Sequence, residues 1–144
     1  MKIKRFYKLT SIVLAVMLIM SCICPTLSVS ASTSSTYVIA GVEELCGVNW
    51  QGNTAEGADN IMTQNADGTY SKIFKDVAVM NDYQFKIVEN DTYGCATWYG
   101  VDGGDDNVTF HVVETCDVTV TFNPDTLKVT VTGDGVNIPK GLEV

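Results

Sequence analysis

The stretch DVTVTFNPDTLKVTVTG, residues 117–133, decides how this chain folds. On either side of NPDT (123–126) apolar residues recur at every second position: Val118, Val120 and Phe122 before it, Leu127, Val129 and Val131 after it. Threonines and a lysine fill the alternate places. A period of two marks a strand with one buried and one wet face, and β-branched side chains suit the pleated surface. Pro124 at the second turn position and Asp125 at the third join the two strands as a hairpin.

The same alternation runs outward from this hairpin. YQFKIVE (83–89) sets Tyr83, Phe85 and Ile87 against Gln84 and Lys86, and NVTFHVV (107–113) sets Val108, Phe110 and Val112 against Thr109 and His111. In NADGTY (65–70), Asp67-Gly68 supplies the positive φ for a turn between strands at 60–64 and 69–75, and VMND (79–82) closes another corner. TYVIAGV (36–42) reads as the first strand. About seven regularly spaced strands, no helical pattern above one turn and no strict repeat predict an all-β antiparallel sandwich rather than a βαβ fold.

Residues 1–31 have the three parts of a secretory signal: a cationic start (MKIKRFYK), an apolar run too short to span a bilayer comfortably, and a small-residue site ending at Ala31. The rival reading is a lipoprotein signal with Cys22 as the lipidated residue. No second apolar run of spanning length follows, so a soluble exported protein, free or at the cell surface, is expected. The remaining residues suffice for one domain with a real core but not for two. We divide them into a linker (32–35), a sandwich (36–133) and a polar tail (134–144).

Charge excludes one class of partner. Cleavage after Ala31 removes Lys2, Lys4, Arg5 and Lys8 and no acid, taking the net charge from -8 to -12 and leaving no arginine. Nucleic-acid binding needs clustered Lys and Arg to neutralise phosphates, so no such partner is expected. Cys46, Cys95 and Cys116 survive processing. An odd number leaves at least one thiol over, or none paired in an anaerobic host; Cys46–Cys116 is the first pairing to consider and Cys46–Cys95 the second, since spacing does not fix connectivity. There is no CxxC, and His111 is the only histidine, at an outward strand position, which argues against zinc. No cofactor is expected.

Two long segments, 43–59 and 90–106, do not read as strands. Loops of this length in a small domain tend to be functional or disordered, and both tryptophans lie in these two.

GVEELCGVNW, NIMTQNADGTYSKIF, YQFKIVEN, WYGVDGGDDNVTFHV, ETCDVTVTFNPDT and KVTVTGDG follow one another in the order and spacing of a known module. Over residues 36–136 the chain resembles the accessory β-sandwich repeat found beside the catalytic parts of bacterial amylopullulanases and related starch-degrading proteins. The resemblance implies an immunoglobulin-like sandwich without catalytic machinery, associated with α-glucan binding, with glucan-degrading enzymes acting nearby. Tyr99, Gly100 and the Gly103-Gly104 pair match the module's glycine-rich loop, whereas its earlier aromatic position falls on Cys95.

Sugar rings present flat CH-lined faces that stack on exposed aromatic rings. Trp98 and Tyr99, with Tyr93 nearby and Asp102 and Asp105 as hydroxyl acceptors, have the composition of such a platform. The structural alternative is that a ring plugs the end of the sandwich. Trp50, in the CG..W word, is a further ligand-binding candidate whose more ordinary role is to anchor its loop. Asp102, Asp105 and Asp106 lack the later bidentate acid of a calcium loop, so a solvated acidic turn is the default. No pair of acids in a cleft suggests a glycosidase. The expectation is a secreted, non-catalytic module that binds a starch- or pullulan-type polysaccharide. The rival is a structural spacer or protein-interaction sandwich that has lost the sugar site.

Overall fold

The computed structural model of the chain describes residues 35–91 and 94–139. The expected signal peptide with Cys22, residues 32–34, Tyr93 and residues 140–144 lie outside the described residues. Two antiparallel sheets make up the fold. The first holds β1 (Thr36–Gly41), β4 (Met80–Asn90), β6 (Val108–Val112) and β9 (Val136–Asn137) in the order β1-β4-β6-β9, with β5 (Ala96–Tyr99) also paired to β4. The second holds β2 (Thr63–Gln64), β3 (Tyr70–Val77), β7 (Cys116–Asn123) and β8 (Lys128–Thr132), in the order β2-β3-β7-β8. The antiparallel sandwich read from the alternation is therefore present. A single helical turn, α1 (Glu43–Cys46), follows β1.

The core lies where the sequence pattern puts it. Tyr83, Phe85 and Ile87 of β4 and Phe110 of β6 face Val118, Val120 and Phe122 of β7, all of them almost fully buried. Aromatic contacts knit the layer: Tyr83 stacks on Phe110 at 5.1 Å between centroids, and Tyr37 meets Phe122 at 5.1 Å. The 117–133 hairpin forms, with Asn123 paired to Lys128 and the Asn123 side chain accepting from the N–H groups of Asp125 and Thr126; Leu127, expected on the second strand, instead ends the turn at φ 59°. That side-chain cap satisfies two turn donors and fixes the register on which the buried valines depend.

Two strands escaped the sequence reading. β5 lies inside 90–106, so Trp98 and Tyr99 stand on a strand and not in a long loop. β9 lies inside the expected tail and pairs with His111 and Val112 of β6. Both are short, and each is held by a longer neighbour, so neither carries enough residues to show a period of its own. β5 and β6 lie along the same edge of β4: Tyr99 stands opposite Ile87 and Val108 opposite Phe85. Residues 100–107 are thus a loop extruded from what is otherwise one strand path.

A second layer covers part of the first sheet's outer face. In β1 and β4, Val38, Ala40 and Val88 point away from the sandwich core, yet all are fully buried. The segment 47–62 crosses over them, which requires bare backbone at the contacts. A Cβ on Gly52 would come within 2.7 Å of Val88 Cγ2, and one on Gly57 within 2.9 Å of Val38 Cγ1. Asn60 Nδ2 donates to the Cys46 carbonyl at 2.9 Å and Asn90 Nδ2 to the Gly52 carbonyl at 2.8 Å, pinning the crossing segment.

The considered Cys46–Cys116 bridge is not formed, nor is Cys46–Cys95: all three thiols are free. Cys46 is buried with Sγ directed at the Ile39 carbonyl beneath the first sheet, whereas Cys116 opens β7 in the second sheet, opposite Val77. Burial pushes the Cys46 thiol up to about 11, which suppresses the reactive thiolate, while Cys95 is exposed. Brief iodoacetamide treatment of the folded protein followed by peptide mapping should label Cys95 and spare Cys46 until denaturant is added. Early labelling of Cys46 would contradict this packing.

Candidate functional site

Alternation along β5 separates the two rings that stand side by side in sequence. Tyr99 pairs with Ile87 and takes the inner face; Trp98 pairs with Val88 and takes the outer face. Tyr99 stacks on Phe122 with centroids 5.6 Å apart and planes 25° apart, as the structural alternative foresaw. The expectation of a two-ring platform is corrected on this point: Tyr99 closes the end of the sandwich.

A carboxylate fixes that closure. Tyr99 Oη donates to Glu89 Oε2 at 2.6 Å, and Tyr37 Oη donates to Glu89 Oε1 at 3.4 Å. Hydrogen bonds from Ser35, Tyr99 and Tyr37 hold the Glu89 carboxyl below the ordinary range for a glutamate. The bond to Glu89, then burial, pushes the Tyr99 phenol up to about 12; for Tyr37, burial and then the Glu89 charge push it up to about 12. In each case the charge state that makes the hydrogen bond is the one the fold favours.

Trp98 is the exposed ring. It keeps 40 % of its surface, the highest of the described aromatic side chains. One edge of the indole lies against the crossing segment: a Cβ on Gly52 would meet Trp98 Cζ2 at 3.0 Å and Cη2 at 3.1 Å. Beneath it, Val38, Val88 and Trp98 form a row across three strands. The ring therefore rests on buried valine at one side, on glycine backbone at another, and shows its remaining surface to solvent. Lys86 and Asn90 flank Val88 on the same outer face, two positions away along β4, and supply polar groups beside the platform.

Trp50 lies two residues before Gly52 and is half-buried. Its φ of 53° is in the left-handed region that costs a bulky residue on the order of 1 kcal/mol or more. Its N–H donates to the Gly41 carbonyl at 2.7 Å, tying the start of the crossing segment to the end of β1. The main chain at Trp50 thus anchors the segment that borders Trp98.

The glycine-rich loop does something different from what its composition suggested. Gly100 N–H donates to the Gly104 carbonyl and Val101 N–H to the Asp106 carbonyl, each at 2.8 Å, so the loop closes on itself. A Cβ on Gly100 would fall 1.8 Å from the Asp106 oxygen, which makes glycine obligatory there. Gly103 packs on Leu127 of the 123–127 turn. Asp102 lines a cleft beside β8 together with Val101, Val108 and Val129, and Asp105 is exposed. Neither is brought together with Trp98 by any contact described. Among the described residues no group of three or more His, Cys, Asp or Glu side chains is arranged to hold a metal ion.

Gly52, Asn90 and Lys86 are the members of the Trp98 surface that the sequence reading passed over. The signal for the last two was present, since period two from Val88 places them on its face. Gly52 carried none, because its partner is reached only through the fold. Compared with protein-family models and with curated proteins, the chain matches none.

The Glu89–Tyr99 bond has a pH signature. Because the folded Glu89 pKa is depressed, its contribution to stability is present above the unfolded value near 4.3 and lost as pH falls through the folded value. Because the folded Tyr99 pKa is raised to about 12, its contribution is present below the unfolded value near 10 and lost as pH rises toward about 12. Urea midpoints across pH should show a plateau between these limits. Tyr99→Phe should lower the plateau and reduce the alkaline fall; an unchanged alkaline limb would remove the phenol from this role.

Proposed function

We propose that this chain is an exported, non-catalytic carbohydrate-binding module that takes starch- or pullulan-type α-glucan on the outer face of its first sheet. Trp98 is the platform, bordered by the Trp50–Asn53 segment and by Lys86 and Asn90. The observation that supports the reading is one indole set beside Val88 and against the Gly52 backbone with 40 % of its surface open. A ring fixed in advance loses little side-chain entropy on binding, which is what favours aromatic stacking on sugars. The resemblance to starch-associated repeats supplies the ligand class.

The acids support a non-catalytic reading. Among the described acids, all but Glu89 and Asp91 are exposed. Glu89, at the sandwich end, is held in its ionised form, the opposite of the raised pKa a glycosidic acid needs. Glucan-degrading enzymes acting nearby would supply the chemistry. Tyr99 facing inward favours a second reading, a spacer or protein-interaction sandwich, because it leaves one ring where two were expected.

Native electrophoresis in gels containing amylopectin or pullulan discriminates the two. The wild type should be retarded in at least one. Trp98→Ala should weaken retardation at least about tenfold, equivalent to about 1.4 kcal/mol. Tyr99→Phe should bind as the wild type does at neutral pH. Free migration of the wild type in both polysaccharides, or wild-type retardation of Trp98→Ala, would leave the spacer reading in its place.

A further inference from the structure

The side of the sandwich at β8 combines an unpaired strand edge with a small cleft, away from Trp98. β8 is the last strand of its sheet, and no described strand pairs with its outer edge. On the facing sheet β9 pairs only with His111 and Val112, so β6 has no described partner on that side over Val108–Phe110. The seam between the two sheets is therefore open at one place. A cleft of about 30 Å³ fills that gap, lined by the aliphatic side chains of Val101, Val108, Val129, Val131 and Ile138, with Thr109 and Asp102 as its polar members.

Each feature constrains the occupant. A free strand edge presents a row of backbone donors and acceptors that an extended chain satisfies by adding a strand. The cleft has room for one small alkyl group and none for a sugar or an aromatic ring. Its charged member is Asp102, followed in the same turn by exposed Asp105 and Asp106, while Asp125 lies in the turn leading into β8. We infer that this edge docks an extended peptide carrying a small aliphatic side chain with lysine or arginine two positions away, so that both fall on the face turned to the cleft. The aliphatic group enters between Val129 and Val108, the cation meets Asp102, and the backbone extends the sheet beyond β8.

The probe is an end-blocked heptapeptide, Thr-Lys-Thr-Val-Thr-Lys-Thr, in which valine and both lysines share one face. Titrated into the isotope-labelled full chain, it should produce saturable shifts at the amides of Lys128–Thr132 and the methyls of Val129, Val131 and Ile138. The matching peptide with glutamate for lysine should produce none. Asp102→Asn, which retains a residue type tolerant of the left-handed backbone at φ 49°, should weaken binding about threefold. Val129→Ser should weaken it as well, and added salt should reduce the Asp102 contribution. Shifts scattered over the acidic surface, equal binding of the glutamate peptide, or no loss in either variant would overturn the inference. So would binding that appears only after residues 140–144 are deleted, or a concentration-dependent dimer that buries β8, since the occupant would then be this chain itself.

Discussion

One hydrogen bond organises the business end of this sandwich: the phenol of Tyr99 on the carboxylate of Glu89, 2.6 Å long and set over the ring of Phe122. β5 is four residues long and is hydrogen-bonded to β4 alone. A strand so short has little of its own to hold it. Fixing Tyr99 on the inner face fixes the parity of the strand, and parity sends Trp98 outward. A slip of one residue would bury the indole against Phe122 and turn the phenol to solvent. The inner-face contact and the outer-face platform are consequently two results of one constraint.

The outer face adds a second condition. A lone indole on an open sheet would be free to swing, but here the 47–62 segment lies across Val38 and Val88 and brings Gly52 against the ring edge. Glycine is needed twice in that crossing, and the strained backbone of Trp50 sits where the segment leaves β1. Local strain of this kind persists where surrounding contacts over-determine it. Here the contacts are the Trp50 N–H on Gly41, the Asn60 amide on Cys46 and the Asn90 amide on Gly52.

Much of this was legible in the residues. The alternation in 83–89, 107–113 and 117–122 named the inward side chains that the structure buries, because a period of two survives wherever one face is wet; of the three named after the turn, Val131 is buried and Leu127 and Val129 are half-buried. β5 was not legible: Gly94, Gly100 and the aspartates that follow bracket four residues, too few to show a period, and only pairing with β4 makes them a strand. Composition grouped Trp98, Tyr99, Asp102 and Asp105 as one platform. Parity divides the rings between two faces, and the self-closed turn at 100–106 carries Asp102 to the β8 side. The cysteines were open for a related reason: spacing allowed a bridge or three free thiols, and only the fold leaves Cys46, Cys95 and Cys116 unpaired. Gly52 is the plainest case of a residue whose importance arises only from what the fold lays upon it.

The central claim is that a glucan meets the outer face at Trp98 while the inner-face aromatic and the acidic turn stay uninvolved. Titrating isotope-labelled protein with maltoheptaose and following assigned resonances tests it most directly. The account predicts that the Trp98 indole N–H and the Gly52 amide shift together and saturate, with Tyr99 and the amides of Asp102–Asp106 unmoved. Shifts centred on Asp102–Asp106, with the Trp98 indole unchanged, would contradict it.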